Sequence, residues 1–308
     1  MAYAVTKLNY DEIDQNTKNK LSFLANPELL EAFAKRDGAV FYYLGIIEHS
    51  KIIAIMPVFE KKKFGMRYLI QPIEYKYTPI DFFLTDSLSL FRKQNHQLMI
   101  LKTLALYLKK EYFKLMIDFE SSIQDIRAFK WVGLDVEPLY TYTKVIKEDS
   151  SEKLPTETKR QLNNKAKKEL HIKECWDLDI YKTLSIDMLN HQNRQKRQVQ
   201  KGYFSFLDDL CIKGFCAMYV AYKEEKPLVY LIVLKDPQKS FLYAFYSALS
   251  EEGKKLGANI YCYDYVLNNH KDFEIFDFTG ANIENIAFFK SQFNCELVNY
   301  FRIEKKIM

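Results

Sequence analysis

One stretch of this chain is written twice, and no fold that leaves the two copies unrelated is compatible with it. Residues 273–305 read FEIFDFTGANIENIAFFKSQFNCELVNYFRIEK. A short apolar run, 274–278, stops at Thr279-Gly280, which is strand followed by turn chemistry. Ile283, Ile286, Ala287, Phe289 and Phe293 then recur at helical spacing, and 297–303 alternates as a strand. Residues 115–145, LMIDFESSIQDIRAFKWVGLDVEPLYTYTKV, carry the same order. With Ile123 set on Ile283, Ile126 falls on Ile286, Phe129 on Phe289, Lys130 on Lys290 and Tyr140 on Tyr300. One residue fewer in the earlier turn brings Asp118-Phe119 onto Asp277-Phe278. A repeat displaced by about 160 residues, roughly half the chain, reads as an internal duplication.

Two domains, 1–146 and 147–308, follow from the repeat and from the length of 308 residues. The boundary falls in the polar stretch 147–154. With 48% hydrophobic residues there is material for a core in each, and 9 Gly with 8 Pro are too few for a loop-rich or low-complexity chain. No basic segment followed by an apolar stretch opens the sequence, and no apolar run reaches the ~18 residues of a membrane span. The five cysteines include no CxxC pair, which reads as reduced thiols in a cytoplasmic protein and leaves no metal centre. The net charge of +5 is small but concentrated. Residues 153–201 hold twelve Lys and Arg against six Asp and Glu, so the rest of the chain is close to neutral.

Each half reads helices, β-hairpin, β, helix, β, helix, β. In the first half Asn26 and Pro27 open a helix over 27–35. Strands follow over 40–47, 51–58 and 67–73, then an irregular connection through Tyr75, Tyr77 and Asp81, and a helix over 87–108. In the second half a basic helix begins near Thr156, with further helices over 178–190 and 204–212. Strands over 216–222, 227–234 and 241–248 precede a helix over 253–267. This is an α+β architecture, a mixed sheet flanked by helices and present twice. Its element order is that of the GNAT acyltransferase fold, in which two adjacent central strands splay to admit an acyl donor.

Two motifs carry a narrower resemblance. Phe276-Asp277-Phe278-Thr279-Gly280, with Phe289-Lys290 and Phe293, resembles the closing segment of the Fem-type aminoacyl transferases that build peptidoglycan bridges. The basic helix TKRQLNNKAKK, 158–168, resembles the helix that opens their second domain. Thr279 stands where that family has an acidic residue, and Asn294 where it has a glycine. The resemblance implies tandem GNAT-like domains and transfer of an acyl or aminoacyl group to an amine. It implies no tightly bound cofactor, with an acyl-CoA or an aminoacyl-tRNA as co-substrate, and a cell-wall precursor or amino sugar as acceptor.

The residues that would carry this chemistry each have a plainer reading. The resemblance assigns Lys290 to neutralising charge at the reacting centre; the alternative is a solvated lysine on an amphipathic helix. Asp277 either orients the acceptor amine and takes its proton or caps the turn that follows it. Lys254, Lys255, Gly257, Ala258 and Asn259 lie where a GNAT domain holds pyrophosphate at a helix start, although a solvated helix start would look the same. Arg160 and Lys165 on the basic helix, with Arg194, Lys196 and Arg197 beyond it, suit a diphosphate or the backbone of tRNA; otherwise they are a solvated face. Tyr75, Tyr77 and Asp81 stand where the family lines its acceptor cleft, or they are packing. No nucleophile elbow is present, which suits direct transfer. The expectation is an N-acyltransferase; the contrasting one is a non-catalytic GNAT-like module that binds an anionic ligand or RNA.

Overall fold

The computed structural model describes residues 3–85, 87–146, 154–191, 203–238 and 240–306. The chain divides into two units, Met1–Leu139 with Asn299–Met308, and Tyr140–Val298.

The first unit contains β1 (Ala4–Leu8), α1 (Gln15–Lys18), α2 (Pro27–Asp37), β2 (Val40–Glu48), β3 (Lys51–Lys63), β4 (Met66–Ile70), β5 (Asp81–Phe82), α3 (Leu90–Glu111), β6 (Lys114–Phe119), α4 (Arg127–Trp131) and the start of β7 (Asp135–Val145). The second contains α5 (Thr156–Gln161), a π-helical turn over Leu162–Ala166, α6 (Lys167–Glu169), β8 (His171–Glu174), α7 (Leu178–His191) and α8 (Tyr203–Ile212). It continues through β9 (Cys216–Lys223), β10 (Lys226–Lys235), β11 (Phe241–Leu249), α9 (Glu251–Leu256), α10 (Ala258–Asn269), β12 (Ile275–Asp277), α11 (Glu284–Ser291) and β13 (Glu296–Lys305).

Local chemistry accounts for these elements. The Asn26 side chain accepts from the N–H groups of Glu28 and Leu29 at 2.9 and 3.3 Å, Pro27 occupies the first turn of α2, and Gly38 ends it at φ 61°. His49 and Ser50, at φ 46° and 63°, form the two-residue turn between β2 and β3. Strands β1 and β8 were not legible in the sequence. Both are short strands at sheet edges, with one paired neighbour each.

The first unit's sheet runs β1–β2–β3–β4–β6 and is completed by residues 301–305 of β13, antiparallel to β6. The second runs β8–β9–β10–β11–β12 and is completed by residues 143–145 of β7, antiparallel to β12. Each unit thus takes its last strand from the opposite half of the sequence. This exchange is the difference between the observed partition and the expected division at 146/147. One parallel pair lies at the centre of each sheet, β4 with β6 and β11 with β12. Buried aliphatic and aromatic side chains from sheet and helices form a separate core in each unit, around Leu44, Met56, Ile100 and Leu104 in the first and Leu231, Val233, Tyr263 and Phe278 in the second.

The two parallel pairs differ in what lies beside them. In the first unit, β3 pairs Phe59 with Ile70 and Ala54 with Phe82. Six residues of β3, 54–59, therefore face thirteen, 70–82, so seven residues are looped out between β4 and β5. That excursion fills the space beside β6. The Thr78 N–H donates to the Asp118 carbonyl at 2.7 Å, and the Glu120 N–H donates to the Thr78 carbonyl at 3.2 Å. Gln71 Oε1 accepts from the Thr78 hydroxyl at 3.0 Å and from the Asp118 N–H at 3.3 Å.

Among the described residues of the second unit no such segment is inserted. Strands β11 and β12 pair only through Phe241 with Ile275, Leu242 with Phe276 and Tyr243 with Asp277. They then part, and β11 continues to Leu249 with no strand paired on that side among the described residues. Ser247, opposite the buried Leu231 on β10, is exposed.

Candidate functional site

The site is the fork between β11 and β12. At its apex the backbone of β12 leaves the sheet through Phe278, Thr279 and Gly280. Thr279 sits at φ 55° and Gly280 at φ 86°. A β-branched residue in the left-handed region is strained, and it persists only where its surroundings hold it.

Here they do. The Asp277 carboxylate, almost fully buried, accepts from the Thr279 N–H at 2.7 Å and from the Thr141 hydroxyl at 2.7 Å. Thr141 Oγ1 in turn accepts from the Gly280 N–H at 3.1 Å. The Thr279 hydroxyl crosses the fork and donates to the Ala244 carbonyl of β11. Below the turn, Lys290 Nζ donates to the carbonyls of Phe278 (2.6 Å), Thr279 (3.1 Å) and Gly280. Lys290 is 7% exposed, whereas its repeat counterpart Lys130 lies in solvent. A second buried lysine, Lys144 of β7, donates to the carbonyls of Phe293 (2.7 Å) and Asn294 (3.2 Å) at the end of α11. Asn294 is at φ 51°, a conformation that glycine or asparagine accepts at little cost. The turn and the helix that follows it are thus held from beneath by two ammonium groups. Phe278 anchors the other side, its ring stacked on Tyr263 of α10 with centroids 5.5 Å apart.

Opposite the apex, β11 carries a bulge. Ile232 of β10 faces Tyr246 while the next residue, Val233, faces Ala244, so Phe245 is extra. An extra residue bends the strand and re-aims its backbone beside the fork. The thiols nearby do not supply a nucleophile. Cys295 Sγ lies 3.0 Å from the Lys290 carbonyl, and burial pushes that thiol up to about 11.

The donor-binding residues named from the sequence are arranged differently from a phosphate loop. Lys254 and Lys255 form the last turn of α9, and a single residue, Gly257 at φ 72°, joins it to α10. Ala258 and Asn259 are the first residues of α10, and no side chain caps that end. Gly257 is required twice, by its positive φ and because a Cβ there would lie 2.9 Å from Gln161 Cγ. The basic helix α5 therefore crosses the start of α10. It buries Thr158, the π-helical turn after it buries Leu162 and Ala166, and Lys167 Nζ of α6 pairs with Asp264 of α10 at 3.1 Å. Arg160 is exposed and paired with Glu157 at 2.8 Å, and Lys165 is exposed. Arg194, Gln195, Lys196 and Arg197 lie outside the described residues.

Three residues placed at an acceptor cleft are instead part of the first unit's filling. Tyr75 is fully buried between Phe33 and Phe59, its hydroxyl on the Leu24 carbonyl, so it presents nothing to a ligand. Tyr77 is buried against Tyr300 at 5.1 Å. Asp81 accepts from the N–H and hydroxyl of Ser22, both at 3.1 Å. Burial lifts its carboxyl to about 6 against those two hydrogen bonds. Sequence reasoning missed Thr141, Lys144, Ala244, Ser247 and Gln161. None has a local signal, because each matters through a partner far along the chain.

No protein-family model matches the sequence, and no curated protein matches it. Solved structures do resemble it. FemX superposes with a TM-score of 0.64 at 12% identity, over 98% of this chain and 97% of FemX. A tandem GNAT protein from the clavulanic acid biosynthesis pathway gives 0.56 at 9% identity, over 100% of this chain and 99% of that one. L-PGS from Bacillus licheniformis gives 0.53 at 13% identity, over 92% and 93%. The likeness spans both units and rests on shape at low identity: this chain has a tandem GNAT-like α+β fold.

Proposed function

We propose that this protein is an N-acyltransferase whose second unit moves an acyl or aminoacyl group from an activated donor onto an amine. The observation that carries this reading is the asymmetry between the two forks. The first is filled by its own chain, while in the second no described strand pairs with β11 on that side from Phe245 to Leu249. Unpaired strand N–H and C=O groups suit an extended, amide-bearing arm laid along them as an added strand. An acyl-CoA carries such an arm, and its phosphates would find the exposed side chains of Lys254 and Lys255 at the end of α9 and of Arg160 and Lys165, rather than the start of α10, which Gln161 covers. An aminoacyl-tRNA would use the same basic residues.

The chemistry needs little more. The amine nitrogen adds to the donor carbonyl, the C–S or C–O bond breaks, and the amine proton leaves to solvent or to the departing group. Asp277 and Lys290 act as positioning residues in this scheme. They fix the strained turn at the apex, and the buried ammonium sets a positive field beneath it.

Fold neighbours support the transferase class, since FemX and the tandem GNAT protein share the duplicated architecture. The competing reading is a binding module without chemistry. Incubation of the purified protein with acetyl-CoA, or with aminoacyl-tRNA, and a panel of amines separates the two. Wild-type protein is expected to give an N-acylated product by mass spectrometry. Saturable donor binding with no product from either donor would support the binding module.

A further inference from the structure

The first unit has a cavity of about 660 Å³ between the N-terminal half of α3, the turn before α4 and Phe301 of β13. By the repeat register, the turn 122–127 corresponds to 282–287, so the cavity is the first unit's counterpart of the ground bordering the second unit's fork. Thr78 and Gln71 are hydrogen-bonded beside β6, so the edge of that strand is occupied by the protein's own chain. A donor read as above has no slot here.

The lining chemistry is specific. Gln94, Asn95 and Gln97 present three amides along one side, and none of these side chains makes a hydrogen bond with a described residue. Each amide offers both a donor and an acceptor. Phe91 stands at the rim 73% exposed, which no packing role explains, and Phe301 lies within. The charged lining groups among the described residues, Asp125 and Arg127, neutralise one another through two contacts of 2.9 and 2.8 Å. A ligand that matches this lining is uncharged, dense in paired donors and acceptors, and flat and apolar on one face. The volume is within the ~300–1,000 Å³ of small-molecule sites.

We infer that this cavity is a binding site for a neutral saccharide, with its hydroxyls on Gln94, Asn95 and Gln97 and a ring face on Phe91. The site is complete within the first unit and does not depend on the donor reading of the second.

The test is a titration of the full-length protein by calorimetry and ligand-observed NMR. The probes are chitotriose, maltotriose and, as a neutral amide control, trialanine. Gln94→Ala and Phe91→Ala serve as variants, since both positions are exposed and neither supports the core. Saturable binding of either saccharide, weakened about tenfold or more by each substitution, is the expected result. Absence of saccharide binding at concentrations up to about 10 mM overturns the inference. Binding that survives both substitutions overturns the location, and binding of trialanine alone overturns the ligand class.

Discussion

The hydroxyl of Thr141 donates to the carboxylate of Asp277 at 2.7 Å, joining residues 136 positions apart at the apex of the second unit's fork. The same oxygen accepts from the Gly280 N–H, so one threonine on an exchanged strand serves both ends of the strained turn. Thr141→Val keeps the shape and removes both bonds. It should cost about 1–3 kcal/mol, because the Gly280 N–H loses its acceptor and the buried Asp277 carboxylate keeps the Thr279 N–H but loses the hydroxyl donor. Thr141→Ser should lose less than half as much. Urea denaturation checks both, and a stable Thr141→Val beside a destabilised Thr141→Ser would show that the methyl group, not the hydroxyl, matters.

Lys290 and Lys130 occupy matching places in the repeat, yet only Lys290 is buried, under three carbonyl oxygens. Lys290→Met should destabilise the protein by about 2–4 kcal/mol, the loss of a buried charge-assisted cluster. Lys130→Met should stay within about 0.5 kcal/mol of wild type, as exposed positions do. Similar losses at the two positions would show that the repeat, rather than the turn, sets the role of this lysine.

Arg302 holds Asp118 through Nε at 2.6 Å and Nη2 at 2.8 Å, a two-pronged contact made by the strand the first unit receives from the far end of the chain. Arg302→Lys keeps the charge and loses the fork geometry. A loss of about 1–2 kcal/mol is expected, since one charge-assisted bond disappears. Chemical denaturation at low and high salt measures it, and a fully screened, salt-sensitive loss would mark the pair as a surface ion pair instead.

Asp81 gives a pH dependence with a definite sign. Burial raises its carboxyl to about 6, above the ordinary carboxylate value, so the folded state holds the proton more tightly than the unfolded state. The group's contribution is therefore most favourable below about pH 4 and is lost as pH rises to about 6. Asp81→Asn keeps an acceptor for Ser22 and removes the titration. The variant should be more stable than wild type at neutral pH by on the order of 2 kcal/mol, with the advantage fading toward about pH 4. Denaturation across that range decides it; an advantage that grows in acid contradicts the assignment.

Much of the architecture was legible because the duplication constrains it. The register of Ile123 on Ile283 and Asp118 on Asp277 places β6, β12, α4 and α11. The filled first fork was not legible, since Tyr75 and Tyr77 look alike whether they line a cleft or plug one. A signal was present in Pro72 and Pro79, which cannot donate to a ladder and bracket the looped-out segment. Thr279 read as a departure from a motif. Its hydroxyl proves to be a bridge between the parting strands, a role that depends on Ala244 and so cannot be seen locally. The strand exchange had no sequence signature either, because β7 and β13 repeat one another and either could have completed either sheet.

The central claim is that the second unit's fork admits an activated acyl donor. Calorimetric titration with acetyl-CoA, on wild type and on Ser247→Trp, tests it most directly, because Ser247 is the exposed residue on the unpaired length of β11. The account predicts saturable one-site binding that weakens with salt and is abolished by the tryptophan, with charged tRNA taking the place of acetyl-CoA if that is the donor. Binding that persists undiminished in Ser247→Trp, or the failure of both donors to bind wild-type protein, would contradict it.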